Sequence, residues 1–128
     1  MNLSREAVMT AIILGLVGAG AIGVLLRWGV GLWLVGGFPW AVLLVNAVGS
    51  FLIGYLYSLR DTSLTGEHWT ILAVGGLGAL TTFSSFALDT VKFLTAGQWT
   101  LALANVIANN LVCLGLCWLG LRMASRTL

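Results

Sequence analysis

Asn46, Ser50, Thr81, Thr82, Ser84, Ser85, Asn105, Asn109 and Asn110 stand in long stretches that otherwise hold almost only apolar side chains and glycine. A polar group in such a setting is expensive, which makes each a candidate for function. All are neutral, and all can donate a hydrogen bond. An anion leaving water needs such donors, and several at once, because dehydrating an isolated ion costs on the order of tens of kcal/mol. The acids lie elsewhere: Glu6, Asp61, Glu67 and Asp89 sit at the ends of the apolar runs. That argues against proton coupling through a buried carboxylate and against a cation path lined by acids.

Spacing groups these residues. Asn46, Gly49 and Ser50 fall at i, i+3, i+4, on one face of a helix, and Asn105, Asn109 and Cys113 fall at i, i+4, i+8 on another. Each set reads either as the lining of a polar path or as glue between helices. Gly75-Gly76-Leu77-Gly78 runs into Thr81-Thr82-Phe83-Ser84-Ser85-Phe86. Glycines followed by hydroxyls at mid-span predict a broken helix, tolerated at that depth only inside protein or along a cavity. Carbonyls freed at a break can bind a small cation. Phe83 and Phe86, at i and i+3, face the same way beyond it, and their ring edges carry partial positive charge. Gly15, Ala19 and Gly23 recur every fourth residue, a small-residue face for close helix packing. Gly18 to Gly23 also fits the dinucleotide pattern GxGxxG, but has no βαβ setting and no acid about 20 positions later, so packing is the better reading. Cys113 and Cys117, at i and i+4 in an apolar run, read as two small buried side chains.

The elements that must carry these residues follow from composition. The chain has 128 residues, 59% hydrophobic and 8% charged, with one proline. A soluble domain is about a quarter charged. Too little polar side chain is present to cover a water-facing surface, and a chain this apolar is not disordered. A net charge of +2 from scattered Lys and Arg excludes a nucleic-acid binder. What remains is an integral all-α protein of the lipid bilayer with four spans in one domain, at about 7–28, 39–59, 69–92 and 98–121. Gly36-Gly37-Phe38-Pro39 separates the first two and Gly97-Gln98 the last two. Trp28, Trp33, Trp40, Tyr55, Tyr57, Trp69, Trp99 and Trp118 all fall near span ends, where amphipathic rings belong. The first span resembles a signal peptide only in Arg5 and Ala19-Gly20-Ala21; equally apolar sequence follows, so it reads as retained. Arg5, Arg60, Arg122 and Arg126 fall on one side and Arg27 and Lys92 on the other. So weak a bias permits insertion in both orientations.

Several segments together resemble the CrcB/Fluc fluoride channel family. They are Gly23-x-x-x-Arg27-Trp28, Phe38-Pro39-Trp40, Val45-Asn46-x-x-Gly49-Ser50-Phe51-x-x-Gly54, and Gly75 to Phe86 with its TTFSSF run, in order along nearly the whole chain. The resemblance implies four-helix subunits with a broken third helix, paired as an antiparallel, dual-topology homodimer with two pores. It implies a channel rather than an enzyme, in a bacterial-type inner membrane, exporting fluoride passively and so lowering its cytoplasmic concentration. It implies a fluoride path past Asn46, Phe83 and Phe86, with Thr82, Ser84, Ser85, Asn105 and Asn109 along it, Arg27 near a pore end and Asp89 as a vestibule acid. It further implies a structural sodium ion at the dimer centre, held by the backbone carbonyls of Gly78 and Thr81. The family often has Tyr and Ser where Asn105 and Asn109 stand, Gly-Thr at Ala41-Val42, and Glu at Asp89. Two other readings fit a small four-span protein: a proton-coupled multidrug-type exporter, which needs a first-span Glu that is lacking between Ala7 and Leu26, and a non-transporting assembly subunit.

Overall fold

The computed structural model describes residues 4–60 and 63–126; Asp61, one of the acids placed at a span end, lies outside them. Helix α1 (Arg5–Trp33) begins where the Ser4 hydroxyl accepts the Ala7 N–H at 3.3 Å, with Glu6 in the first turn. This is the donor-capping arrangement a helix start requires. It continues past Arg27 and Trp28 and stops just before Gly36-Gly37. Helix α2 (Trp40–Leu59) starts after Pro39. The third segment opens with α3 (Gly66–Trp69), passes through a π-helical stretch (Thr70–Leu77) and α4 (Gly78–Leu80), and resumes after Thr81 and Thr82 as α5 (Phe83–Thr95). Helix α6 (Trp99–Ala124) completes the bundle.

Four helical segments are long and apolar enough to cross a membrane: Arg5–Trp33, Trp40–Leu59, Gly66–Thr95 and Trp99–Ala124. The shortest has 20 residues, which at about 1.5 Å per residue matches a hydrocarbon core of about 30 Å. The described residues contain no strand. The expected turn at Gly97-Gln98 has a physical cause. Gly97 adopts φ +72°, the Gly97 N–H donates to the Leu94 carbonyl at 3.1 Å, and the Gln98 N–H donates to the Phe93 carbonyl at 2.8 Å. This pair of bonds closes a helix through a left-handed residue, where glycine carries no steric penalty.

Packing divides the bundle in two. Helix α1 lies along the π-helical stretch and α4, while α2 lies along α6, which also receives α5. Glycines set both approaches. A Cβ on Gly15 would collide with Ile71, and one on Gly23 with the Gly76 carbonyl. On the other pair, a Cβ on Gly54 would meet the Cys117 carbonyl and one on Gly120 the Phe51 carbonyl. The Gly15–Gly23 face is therefore a packing face, as small residues spaced by four allow, and the GxGxxG match lies inside a continuous helix. Between the two pairs, the third segment changes neighbours, from α1 to α6. Thr81 and Thr82 make that change with extended backbone, φ/ψ −82°/155° and −151°/107°.

Candidate functional site

The two extended threonines are held by a side chain from another helix. Asn46 projects from α2 and pairs with both backbone groups of Thr82: the Thr82 N–H donates to Asn46 Oδ1 at 2.8 Å, and Asn46 Nδ2 donates to the Thr82 carbonyl at 3.2 Å. Gly49, one turn along, lets the Thr81 methyl approach; a Cβ there would strike it. Thr82 caps α5, its hydroxyl accepting the Ser85 N–H at 3.1 Å and lying 3.2 Å from the Ser84 hydroxyl and 3.0 Å from that of Ser85.

These side-chain bonds take the place of backbone ones. In a continuous α-helix the Thr82 N–H would bond the Gly78 carbonyl and the Ser85 N–H the Thr81 carbonyl. Here the first goes to Asn46 and the second to the Thr82 hydroxyl. The carbonyls of Gly78 and Thr81 are thus among those at the break whose helical donors are diverted. Arg27, reaching from α1, donates through Nη1 to the Thr81 carbonyl at 3.4 Å. A carbonyl oxygen has two lone pairs and can accept a second partner.

A ladder of carboxamides leads away from Asn46. Its Nδ2 also donates to Asn109 Oδ1 at 3.1 Å. Asn109 Nδ2 donates to Asn105 Oδ1 at 3.0 Å and to the Asn105 carbonyl at 3.2 Å. Asn105 Nδ2 donates to the Thr90 hydroxyl at 2.9 Å and to the Phe86 carbonyl at 3.4 Å, and Thr90 donates to the same carbonyl at 2.8 Å. Asn105 is fully buried and Asn109 nearly so. No buried side-chain polar atom among the described residues lacks a partner. Asn105 and Asn109 thus join α6 to α5 and α2 in the manner of interhelix glue, with Asn109 also at the edge of a cavity.

That cavity is an open groove of about 240 Å³ lined by Asn46, Ser50, Phe83, Phe86, Asn109, Asn110, Cys113 and Leu114. Phe83 and Phe86 meet edge to face, with centroids 5.3 Å apart. Phe83 stands at the rim, 78% exposed, whereas Phe86 is 8% exposed and anchors the floor. The lining consists of aromatic, aliphatic, hydroxyl, thiol and carboxamide groups, gathered without an acid or a base. Ser50 shares a helical face with Asn46, as its spacing indicates. Asn110, one position off the Asn105–Asn109–Cys113 face, is exposed and donates through Nδ2 to the Val106 carbonyl at 2.7 Å.

Other sequence-selected residues lie apart from the groove. Arg27 reaches the Thr81 carbonyl, at the far side of the extended pair. Asp89 lines a second cavity of about 370 Å³, bounded by residues between Gly31 and Val42 and by Phe93, and pairs with Lys92 at 3.6 Å. Ser84 is exposed and Ser85 half-buried beside Thr82. Cys113 and Cys117 are both free thiols, half-buried, and Cys113 borders the groove. No group of three or more His, Cys, Asp or Glu among the described residues is placed to hold a metal.

The profile of the family described as "CrcB-like protein, Camphor Resistance (CrcB)" matches residues 10–121. The chain belongs to the CrcB-like family. The match runs from within the first membrane segment to within the fourth and takes in every groove residue of this CrcB-like protein. Curated relatives are similar over much the same extent. A Geobacter metallireducens protein named fluoride-specific ion channel FluC is 45% identical over 111 residues, 82% of this chain and 90% of its own. The protein of that name from Thermus thermophilus is 45% identical over 109 residues, 81% and 86% of the two chains. The one from Shewanella amazonensis is 42% identical over 113 residues, 84% and 91%. Membership in this family of channels, together with four apolar membrane-length helices, makes the CrcB-like chain a multi-pass integral membrane protein and not an enzyme.

Proposed function

We propose that this protein is a fluoride-selective channel that lets the ion leave the cell passively, in a bacterium across the inner membrane. The observation that carries the reading is the uncharged groove, in which an edge-to-face phenylalanine pair stands beside carboxamides. Relatives covering most of the chain are named for the same ion.

The chemistry suits a small, tightly hydrated anion. Ring edges and neutral N–H and O–H donors attract fluoride without the grip of a Lys or Arg, and conduction needs binding weak enough to reverse. The first N–H groups of α5, which have no acceptor within their own helix, point toward the break and favour negative charge. Exclusion of acids from this depth keeps the path from repelling the anion.

The groove is open rather than enclosed, and Phe83 at its edge is largely exposed. Helix α1 buries only Gly23. A second copy, inserted in the opposite sense, closes the groove and covers α1, giving an antiparallel homodimer with two paths. At its centre the third helix acts as a broken helix. The Gly78 and Thr81 carbonyls, relieved of their helical donors, would hold a sodium ion; hard oxygen ligands without charge suit that cation. The ion would tie the two breaks together. Arg27, apart from the groove, shares the Thr81 carbonyl and would lie near a pore end, and Asp89, in the second cavity, would be a vestibule acid.

Purified protein in liposomes loaded with fluoride should release it electrogenically, without a proton gradient, while a chloride-loaded control stays tight. Efflux that requires a proton gradient, or none at all, would overturn the reading.

A further inference from the structure

The hydrogen-bond ladder behind the groove has a fixed polarity. Asn46 cannot be turned over, because the Thr82 N–H, which can only donate, holds its Oδ1. Asn109 is likewise held, because its Nδ2 donates to the Asn105 backbone carbonyl, which can only accept. The carboxamide of Asn109 therefore offers its oxygen, not its nitrogen, to Asn46. Both Nδ2 hydrogens of Asn46 are already taken, by the Thr82 carbonyl and by Asn109 Oδ1. An anion entering the groove finds no free amide hydrogen on Asn46 unless one of these acceptors yields. The Thr82 carbonyl is backbone, locked by the reciprocal bond. Asn109 Oδ1 is the end of a side chain that borders the groove.

We infer that Asn109 Oδ1 is a built-in competitor of the permeating anion: it occupies the position on Asn46 Nδ2 that fluoride must take, and each ion binds by displacing it. This rests on the fluoride-channel reading of the groove. A carbonyl oxygen and a fluoride ion are close in size, so fluoride can take the place of the oxygen that lies 3.1 Å from the nitrogen. The competitor weakens fluoride binding at this point, and so speeds its departure, as conduction requires. Thr90 and Asn105 are positioning residues. They anchor the far end of the ladder, Asn105 through the Thr90 hydroxyl and Asn109 through Asn105, and hold Asn109 Oδ1 in place.

A purely structural role for Asn109 would not produce the sign expected here. Asn109→Ala frees an Asn46 hydrogen, so fluoride should bind more tightly, not less. The readout is the side-chain amide resonance of Asn46 in the reconstituted protein, titrated with sodium fluoride and, separately, sodium chloride. Its fluoride midpoint should fall about tenfold, the factor that one hydrogen bond to an ion commands. Thr90→Val keeps the shape of the side chain but removes the anchor. It should lower the midpoint in the same direction by less, and Thr90→Ser should restore the wild-type value. Should Asn109→Ala fail to assemble, Thr90→Val and Thr90→Ser test the same displacement. An unchanged or higher midpoint in Asn109→Ala and Thr90→Val, with wild-type liposomes still releasing fluoride, would overturn the competitor and leave the channel reading standing. Wild-type liposomes that release no fluoride would overturn both.

Discussion

Asn46 and Phe83 are both candidates for the ion path, yet their surroundings give them opposite liabilities. Asn46 satisfies the Thr82 N–H and carbonyl at once. Asn46→Leu should therefore destabilise the protein by about 1–3 kcal/mol for each buried backbone group left unpaired, read as a lower unfolding temperature in detergent. Asn46→Asp keeps the acceptor for the Thr82 N–H but sets a charge against the Thr82 carbonyl and the entering anion, so fluoride efflux should vanish. Phe83, 78% exposed on one copy, contributes little to the fold of that copy. Phe83→Ile should leave the unfolding temperature of the monomer fold within error while efflux collapses, because the ring edge is gone. Phe86 is 8% exposed, so Phe86→Ile should lose efflux and also about 1 kcal/mol of packing. Equal behaviour of the two phenylalanine variants in both assays would contradict this division.

At the scale of elements, glycines decide which helices can touch. Gly120 meets the Phe51 carbonyl and Gly54 the Cys117 carbonyl, so α2 and α6 approach backbone to backbone. Backbone cannot swing aside as a side chain can. Gly120→Ala should push the pair apart and cost about 1–3 kcal/mol. Gly115 sits on the same helix with open space where a Cβ would go. Gly115→Ala should be neutral or stabilise by about 0.5–1 kcal/mol through helix propensity. The comparison is made by thermal unfolding of both variants in one detergent; a common shift for the two would mean that helix propensity, not contact, governs this interface. The π-helical stretch Thr70–Leu77 belongs to the same logic. It lays Ala73 and Gly75 against α1, and π-turns of this kind occur chiefly where function tolerates a weaker backbone ladder.

For the whole molecule, the proposed pairing of oppositely inserted copies turns on how charge is divided between the two membrane faces. Arg60 lies over Trp69 at 5.6 Å and Arg122 over Trp118 at 5.2 Å, marking one membrane face with two cation–π pairs. On the other side Arg27 bonds inward to Thr81, so Lys92 is left as the cation at that water boundary among the described residues. The bias is four against two with Arg27 counted and four against one without it, so dual insertion depends on Arg27 being read as a charge of that side. A single cysteine at Ser125→Cys, in a background lacking Cys113 and Cys117, should be labelled from both sides of the membrane. Labelling from one side alone would sink the antiparallel arrangement. Two lysines added beside Arg126 should bias insertion and reduce efflux when that variant is expressed alone. Replacing sodium by a bulky organic cation should loosen the pairing of copies, seen as more monomer on size exclusion; no change would count against a sodium ion on Gly78 and Thr81.

Class and span number were legible in the residues alone because the demand made by hydrocarbon is local: each stretch must be apolar and internally hydrogen-bonded on its own account. The turn at Gly97 was legible for the same reason, a single residue answering a single backbone requirement. So was the lack of an acid at mid-span, which needs no partner to be noticed. The destination of each carboxamide was not. Asn46 meets Thr82 36 residues away and Asn109 63 residues away. Helical spacing places all three asparagines on candidate faces but says nothing of which face meets which. Only the tertiary structure decided that Asn105 is sealed in the interior, that Asn109 turns its oxygen toward Asn46, that Arg27 reaches the Thr81 carbonyl, and that Ser50, Asn110 and Cys113 share the groove with Phe83. A hydrogen bond is directional and short-ranged, so its partners are chosen when helices settle against one another, and no single helix carries that contact in its own sequence.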